Sequence, residues 1–314
     1  MKKYKILLFI ISIAIMAAII WYANPMLMAE KISQGNIYFI LIAFILASVN
    51  IFLRTLKWKV LLNNVGLLEL VPVQILGMVI SNFTPGKVGE PFKAFILKAR
   101  KGINVSEGLS SIIWERIFDL LVLVILAILF IAFMSLTFDM LYIGMVAILI
   151  FIIGIGVLLL ILTSKRFGER IFRFTKKLPI LNKIGDQFIE QFYKSTKIPK
   201  VKMALSFAIT FVCWLIDALV FYYCFMALGI DIGPAALAGL IAFSTLVAVA
   251  SSLPGGIGSF EAVLLVLITS MGITTVDATA GILIARLVTI WYGTILGAIF
   301  FIYLSRKVDI RSVL

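Results

Sequence analysis

The chain has 314 residues, 63% of them hydrophobic and 14% charged, with a mean hydropathy of +1.17. A soluble domain carries roughly 45–50% apolar and about 25% charged residues, so the composition specifies an all-α polytopic membrane protein, and unbroken apolar runs such as 120–133 lack the alternation of a β-barrel. The formal charge of +13 does not make this a nucleic-acid binder, because the basic residues fall where membrane topology places them.

In chain order, Met1-Lys2-Lys3-Tyr4-Lys5 precedes a long apolar run with the look of a signal sequence. Asn24-Pro25-Met26-Leu27 offers no small-residue cleavage site, so an uncleaved first span is expected over 6–23. Five more complete spans are expected over 37–54, 108–134, 140–163, 203–227 and 278–304, since a bilayer needs about 20 apolar residues. Two further apolar segments, 70–98 and 234–271, are each interrupted near the middle by a Pro-Gly motif. Both read as hairpins, re-entrant for preference. If they cross fully, there are eight or more membrane segments, and the connectivity is unchanged.

Lysine and arginine set the orientation. Lys2, Lys3 and Lys5 hold the N-terminus in the cytoplasm. Span two exits there at Lys57 and Lys59. Lys98, Arg100 and Lys101 close the first hairpin on the same side, and Arg306, Lys307 and Arg311 do so for the C-terminus. The loop 164–202 carries eleven Lys and Arg against Glu169, Asp186 and Glu190. It is expected in the cytoplasm, with Ile184, Phe188 and Phe192 laid on the anionic inner leaflet. Outside, Lys31 is the one cation on this threading. The first hairpin then enters from the cytoplasm and the second from the exterior. The chain becomes one integral domain of two inverted repeats, about 5–134 and 140–304.

The motifs repeat as well. Pro85-Gly86-Lys87-Val88-Gly89-Glu90 is matched by Pro254-Gly255-Gly256-Ile257-Gly258-Ser259-Phe260-Glu261. Arg116 follows Pro85 by 31 residues, and Arg286 follows Pro254 by 32. Gly102–Arg116 aligns on Gly272–Arg286 without a gap, keeping the Gly, Ile103/Ile273, Ile112/Ile282 and the Arg, with Glu107 opposite Asp277. Paired Gly/Pro-interrupted segments in two halves point to a transporter-like site. A broken helix leaves free N–H groups at the start of its second half, at the positive end of the dipole. Such a tip suits an anion such as a lipid phosphate, and Lys87 adds charge to the first. Arg116 and Arg286 lie well inside apolar helices, where a charge costs at least ~2.5 kcal/mol and demands a partner or a wet cavity. Glu90 and Glu261, one per repeat, are the natural partners. Glu115 and Asp119 share a helix face at i and i+4, and Asp217 is a further intramembrane acid. Static bridges locking each hairpin are the bland reading of these charges; a hydrophilic path for a headgroup is the functional one.

Enzymatic signatures are sparse. Histidine is absent, there is no Walker sequence, and Cys213 and Cys224 lie about 16 Å apart along one helix, too far for a disulfide. No cofactor or metal is expected.

The segments 85–90, Trp114-Glu115-Arg116-Ile117-Phe118-Asp119 and 253–261 resemble the flippase-like family, also called the lysylphosphatidylglycerol synthase transmembrane region, over about 5–305. That resemblance implies translocation of an anionic or phosphate-bearing lipid headgroup, phospholipid, glycolipid or polyprenyl-linked, across the cell membrane. With no aminoacyl-transferase domain before Leu314, it argues against lysyl transfer. It also brings in a glycosyltransferase or lipid synthase as partner, and leaves a membrane-embedded lipid enzyme or a scaffold as alternatives. Its motif positions here are Pro85, Gly86, Gly89, Glu90, Arg116, Asp119, Pro254, Gly255, Gly256, Gly258 and Glu261. Lys87 and Arg286 are added from the tip and the internal repeat.

Overall fold

A computed structural model describes residues 2–62, 65–84, 89–133, 138–167, 170 and 186–305, and no strand occurs among them. Helices α1 (Lys2–Tyr22), α2 (Pro25–Ser33), α3 (Ile37–Leu61), α4 (Leu67–Asn82) and α5 (Phe92–Lys101) lead to α6 (Val105–Phe133) and α7 (Phe138–Thr163). The second part holds α8 (Asp186–Ser195), α9 (Lys200–Met226), α10 (Pro234–Ala250), α11 (Ser259–Thr269), α12 (Thr275–Arg286) and α13 (Tyr292–Ser305). Every apolar segment expected from the sequence coincides with a helix or a helix pair.

Three rods are long and apolar enough to cross a bilayer: Ile37–Leu61, Lys200–Met226 and Thr275–Tyr303, the last being α12 and α13 joined through a widened π turn at Leu287–Trp291. Leu7–Tyr22 and Pro25–Ser33 make a fourth only if taken together, and they bend by 78°. The bend is local chemistry. Asn24 adopts a left-handed φ of 61°, its side chain caps Leu27 N, and Pro25 opens the next helix. The sequence reading assigned no element to α2. It packs on α12, and Lys31 reaches Asp277 at 3.1 Å. Leu67–Asn82, Ile148–Thr163, Pro234–Ala250 and Pro254–Thr269 are apolar but shorter. α6 is long enough to span, yet its first half carries Glu107, Glu115, Arg116 and Asp119.

Helix pairs do form where the two Pro-Gly motifs fall. Lys101 pairs with Glu69, and Lys93 meets Gln74, so α4 and α5 run antiparallel. α11 likewise packs back on α10. The main core joins α6, α9, α10, α11 and α12, and a smaller one lies under α4 and α5 around Trp58, Leu70 and Leu97. α9 lies along α3. Large apolar side chains on α1, α3, α7 and α13 face outward, as Ile45, Leu149 and Ile299 do, which suits hydrocarbon surroundings.

One expectation about the 164–202 loop is overturned. Phe192 is not laid on a membrane surface; it is buried at 1% exposure in the main core. α8 packs on α6, Tyr193 Oη donates to Ile161 O at 2.8 Å, and Trp114 Nε1 donates to Thr196 O at 3.3 Å. Phe192 is packed against protein, not lipid. Ile184 and the Phe188 side chain lie outside the described residues.

Candidate functional site: a charged chamber between two helix breaks

The second break is built from its glycines. Pro254 starts a single 3₁₀ turn, and Gly255, Gly256 and Gly258 take φ of 64°, 67° and 89°, a region that costs an L-residue about 1–2 kcal/mol. Their hydrogens are also needed for space. A Cβ on Gly255 would stand 2.7 Å from Asn82 O at the end of α4, and one on Gly258 would stand 2.9 Å from Ile15 of α1. The two breaks therefore meet, with Gly255 against Asn82.

At the second tip several backbone donors are already taken. Gly258 N–H donates to Glu261 Oε2 at 2.6 Å, so the start of α11 is capped by the chain's own carboxylate. Gly256 N–H and Ile257 N–H bond to Leu253 O and Pro254 O. The free-donor expectation fails at Gly258 because an acid three residues into a helix turns back on the backbone N–H. At the first break Pro85, Gly86 and Lys87 lie outside the described residues. Gly89 N–H donates to Thr84 Oγ1 at 2.9 Å.

Both arginines meet the expected acids. Arg116 pairs with Glu90, and Arg286 with Glu261, while the Arg286 guanidinium also lies 3.9 Å above the Phe260 ring. Glu261 is thus both cap and counter-ion. Each pair leaves one buried polar atom without a hydrogen bond, Glu90 Oε2 and Arg286 Nη2. Such an atom is costly to bury.

Asp119 does not belong to the Arg116 pair. Its carboxylate receives Lys57 Nζ at 2.7 Å and Trp214 Nε1 at 3.2 Å. Lys57 was read as marking the cytoplasmic exit of the second span; it is instead fully buried inside α3, 3.5 Å from Glu115. Glu115 also holds Lys93 at 2.7 Å, which bonds Gln74 at 3.1 Å and sits 4.5 Å over the Trp58 ring. Asp217 binds Arg54 at 2.5 Å and Asn50 at 2.6 Å. Each buried cation here has an acid and each acid a cation, so these described charges balance.

Sequence reasoning missed Arg54, Lys57 and Lys93 as site residues. The signal was there. Asn50, Arg54 and Lys57 follow at i, i+4 and i+7, a polar stripe on an otherwise apolar helix. Lys57 lies close enough to the helix end to pass for a topogenic charge.

Most of these charges border a cavity of about 180 Å³, room for roughly six waters. Arg54, Asp119, Asp217, the Arg116–Glu90 pair and Arg286 line it, together with Gly255 and Gly256 of the second break. Ile241, Val249 and Met78 supply apolar wall. Removing one member of a buried ion pair costs about 3–5 kcal/mol, so the chamber accepts a charged guest only by exchanging one counter-ion for another.

Fold and chamber together define a class: an all-helical membrane protein whose interior charges converge where two broken helices meet. The family described as lysylphosphatidylglycerol synthase TM region matches residues 9–297, and the chain belongs to it. Among curated proteins it is similar to a UPF0104 membrane protein of Pyrococcus horikoshii, 28% identical over 99% of this chain and 100% of that one. Similar relatives occur in Methanothermobacter thermautotrophicus, 24% identical over 98% of both chains, and in Methanocaldococcus jannaschii, 25% identical over 98% of both.

Proposed function

We propose that this protein is a lipid flippase that moves an anionic or phosphate-bearing lipid headgroup, phospholipid or glycolipid, between leaflets without catalysing a bond change. One observation carries the reading. Arg116 and Arg286, at matching positions in the two aligned segments, line one cavity at the contact between the two helix breaks, each held by an acid from a break. A headgroup phosphate would compete with Glu90 and Glu261 for the guanidinium groups, which bind phosphate and carboxylate in the same fork geometry. The tails would stay in lipid.

The same proposal includes the architecture: six spans and two re-entrant hairpins in inverted repeats, in the cell membrane, with both termini and the 164–202 loop cytoplasmic. The meeting of Gly255 with Asn82 supports the opposed hairpins, because inverted segments entering from opposite faces converge at the middle. A membrane-bound glycosyltransferase or lipid synthase would supply the lipid.

The test is headgroup movement in proteoliposomes, with fluorescent anionic and zwitterionic lipids, a lipid-linked sugar, an impermeant quencher, and imposed pH and sodium gradients. Wild type should move the anionic probe. Arg116→Ala/Arg286→Ala, checked for folding, should be at least tenfold slower. Failure to move any probe under any gradient would remove the flippase reading. Chemical turnover of the lipid would favour an enzyme. Co-purification of a synthase, with the arginine variant harmless, would favour a scaffold.

A further inference from the structure

A second polar cavity, about 410 Å³, lies where α8 and the connection 196–199 seat against the start of α6. Its wall carries Lys194, Lys197 and Lys202, against Glu107 as the one carboxylate among the described lining residues. Pro199 opens the 27-residue α9 at the same wall, and no side chain caps that helix start. The dipole of a long helix adds positive potential there, and its first-turn N–H groups suit an anion. The wall is anchored by the burial of Phe192 and by the bonds from Tyr193 to Ile161 and from Trp114 to Thr196. Lysines bind phosphate as point charges, and a phosphate offers them more acceptor oxygens than a carboxylate does.

This cavity is aligned with the central chamber. Glu107, Ser111, Glu115 and Asp119 follow at four-residue intervals on α6, a rise of about 18 Å. The first two line the lysine cavity and the last two line the chamber. Between them stands Trp58, fully buried, its Nε1 donating to Ser111 Oγ at 3.0 Å. The boundary includes this hydrogen-bonded pair and buried Lys93, which sits 4.5 Å over the Trp58 ring and bonds Glu115.

We propose that the lysine cavity is a phosphate-binding site, separate from the central chamber, from which a phosphate-bearing headgroup approaches that chamber along the polar file of α6. The approach rests on the flippase reading; phosphate binding does not. The phosphate comes either from a lipid headgroup or from free inorganic phosphate, and the probes separate the two.

Isothermal titration of the purified full chain in detergent would use inorganic phosphate and, separately, a short-chain phosphatidylglycerol. Wild type should bind at least one probe. Lys194→Ala/Lys197→Ala should weaken that binding about tenfold or more and Lys194→Arg/Lys197→Arg should largely preserve it, while added salt should weaken it in wild type. Binding of the short-chain lipid alone identifies the headgroup as the source; binding of both shows that phosphate suffices. Lysine-dependent binding should persist in Arg116→Ala/Arg286→Ala. The proposal is overturned if neither probe binds wild type, or if Lys194→Ala/Lys197→Ala binds like wild type. Lysine-dependent binding with no lipid movement would sink the flippase reading and leave the phosphate site standing. Lipid movement with lysine-independent binding would do the reverse.

Discussion

The two broken helices hold the same arginine–carboxylate pair in different kinds of surroundings. Around the first, α5 and α3 are tied to α6 by charge: Lys93 bonds Glu115 as well as Gln74 of α4, and Lys57 bridges Glu115 and Asp119. Around the second, the register that puts Arg286 on Arg116 puts Ala285 on Glu115 and Thr289 on Asp119. There the restraint is steric, with Gly255 on Asn82, Gly256 on Ala248 and Gly258 on Ile15. A duplicated motif therefore does not imply a duplicated energy source. The first half packs closely too, with Gly77 on Lys93 and Gly108 on Ala94, and adds a network of ion pairs whose geometry can rearrange if a counter-ion is exchanged. The other is fixed by close packing, which tolerates little displacement.

The sharpest way to break this contrast is to remove Lys57. Lys57→Ala leaves Glu115 short of one cation and Asp119 without its nearest, and should destabilise the protein by about 3–5 kcal/mol, read as a fall in the thermal midpoint in detergent. A loss no larger than that of Lys59→Ala, on the same helix, would show that the first half is not held by charge.

Next in size is Gly255→Ala, which combines a left-handed φ with a Cβ 2.7 Å from Asn82 O. Its cost should be about 2–3 kcal/mol, strain plus crowding. Gly102→Ala is the control. Gly102 has a φ of 67° and nothing within 4 Å of its would-be Cβ, so about 1 kcal/mol is expected. Equal losses in the two variants would remove packing as the second half's restraint.

A third comparison sets Glu261→Gln against Glu90→Gln. Glu261 pairs with Arg286 and caps Gly258, while among the bonds described Glu90 has the arginine alone. A glutamine has one acceptor oxygen, so Glu261→Gln keeps the cap or the arginine bond but not both, while Glu90→Gln keeps its one partner, and Glu261→Gln should be the more destabilising by about 1 kcal/mol. The reverse order would show that the cap is not a working bond.

The smallest effect lies where the start of α4 meets the end of α5. A hydrogen bond from Lys101 holds the exposed Glu69 carboxyl below its usual value of 4.5, helped by Gly66 N–H. A depressed folded-state value stabilises the protein above the unfolded value and is lost as pH falls through the folded one. Wild type should exceed Lys101→Ala slightly in thermal midpoint at neutral pH, and the gap should close as pH drops below about 4.5. A gap that persists in acid would point to packing of the lysine stem instead.

Several of these features were legible in the one-dimensional chain. Hydropathy specified an all-helical membrane protein because lipid leaves backbone N–H and C=O groups no other partner. The first span was placed over 6–23, where α1 ends at Tyr22, and a shared distance from each Pro-Gly motif pointed Arg116 at Glu90 and Arg286 at Glu261. These are local signals, carried by residue type and spacing. Only the tertiary structure decided where long side chains turned. Lys57 could have exited toward water, and instead bends inward because α6 presents Glu115 and Asp119 to it. Phe192 could have met lipid, and instead meets α6. Glu261 could have left its helix start open to a ligand, and instead closes it. Each outcome depends on which helix is packed opposite, and that is a pairing between segments distant in sequence. Hydropathy and spacing describe a helix face without naming its neighbour.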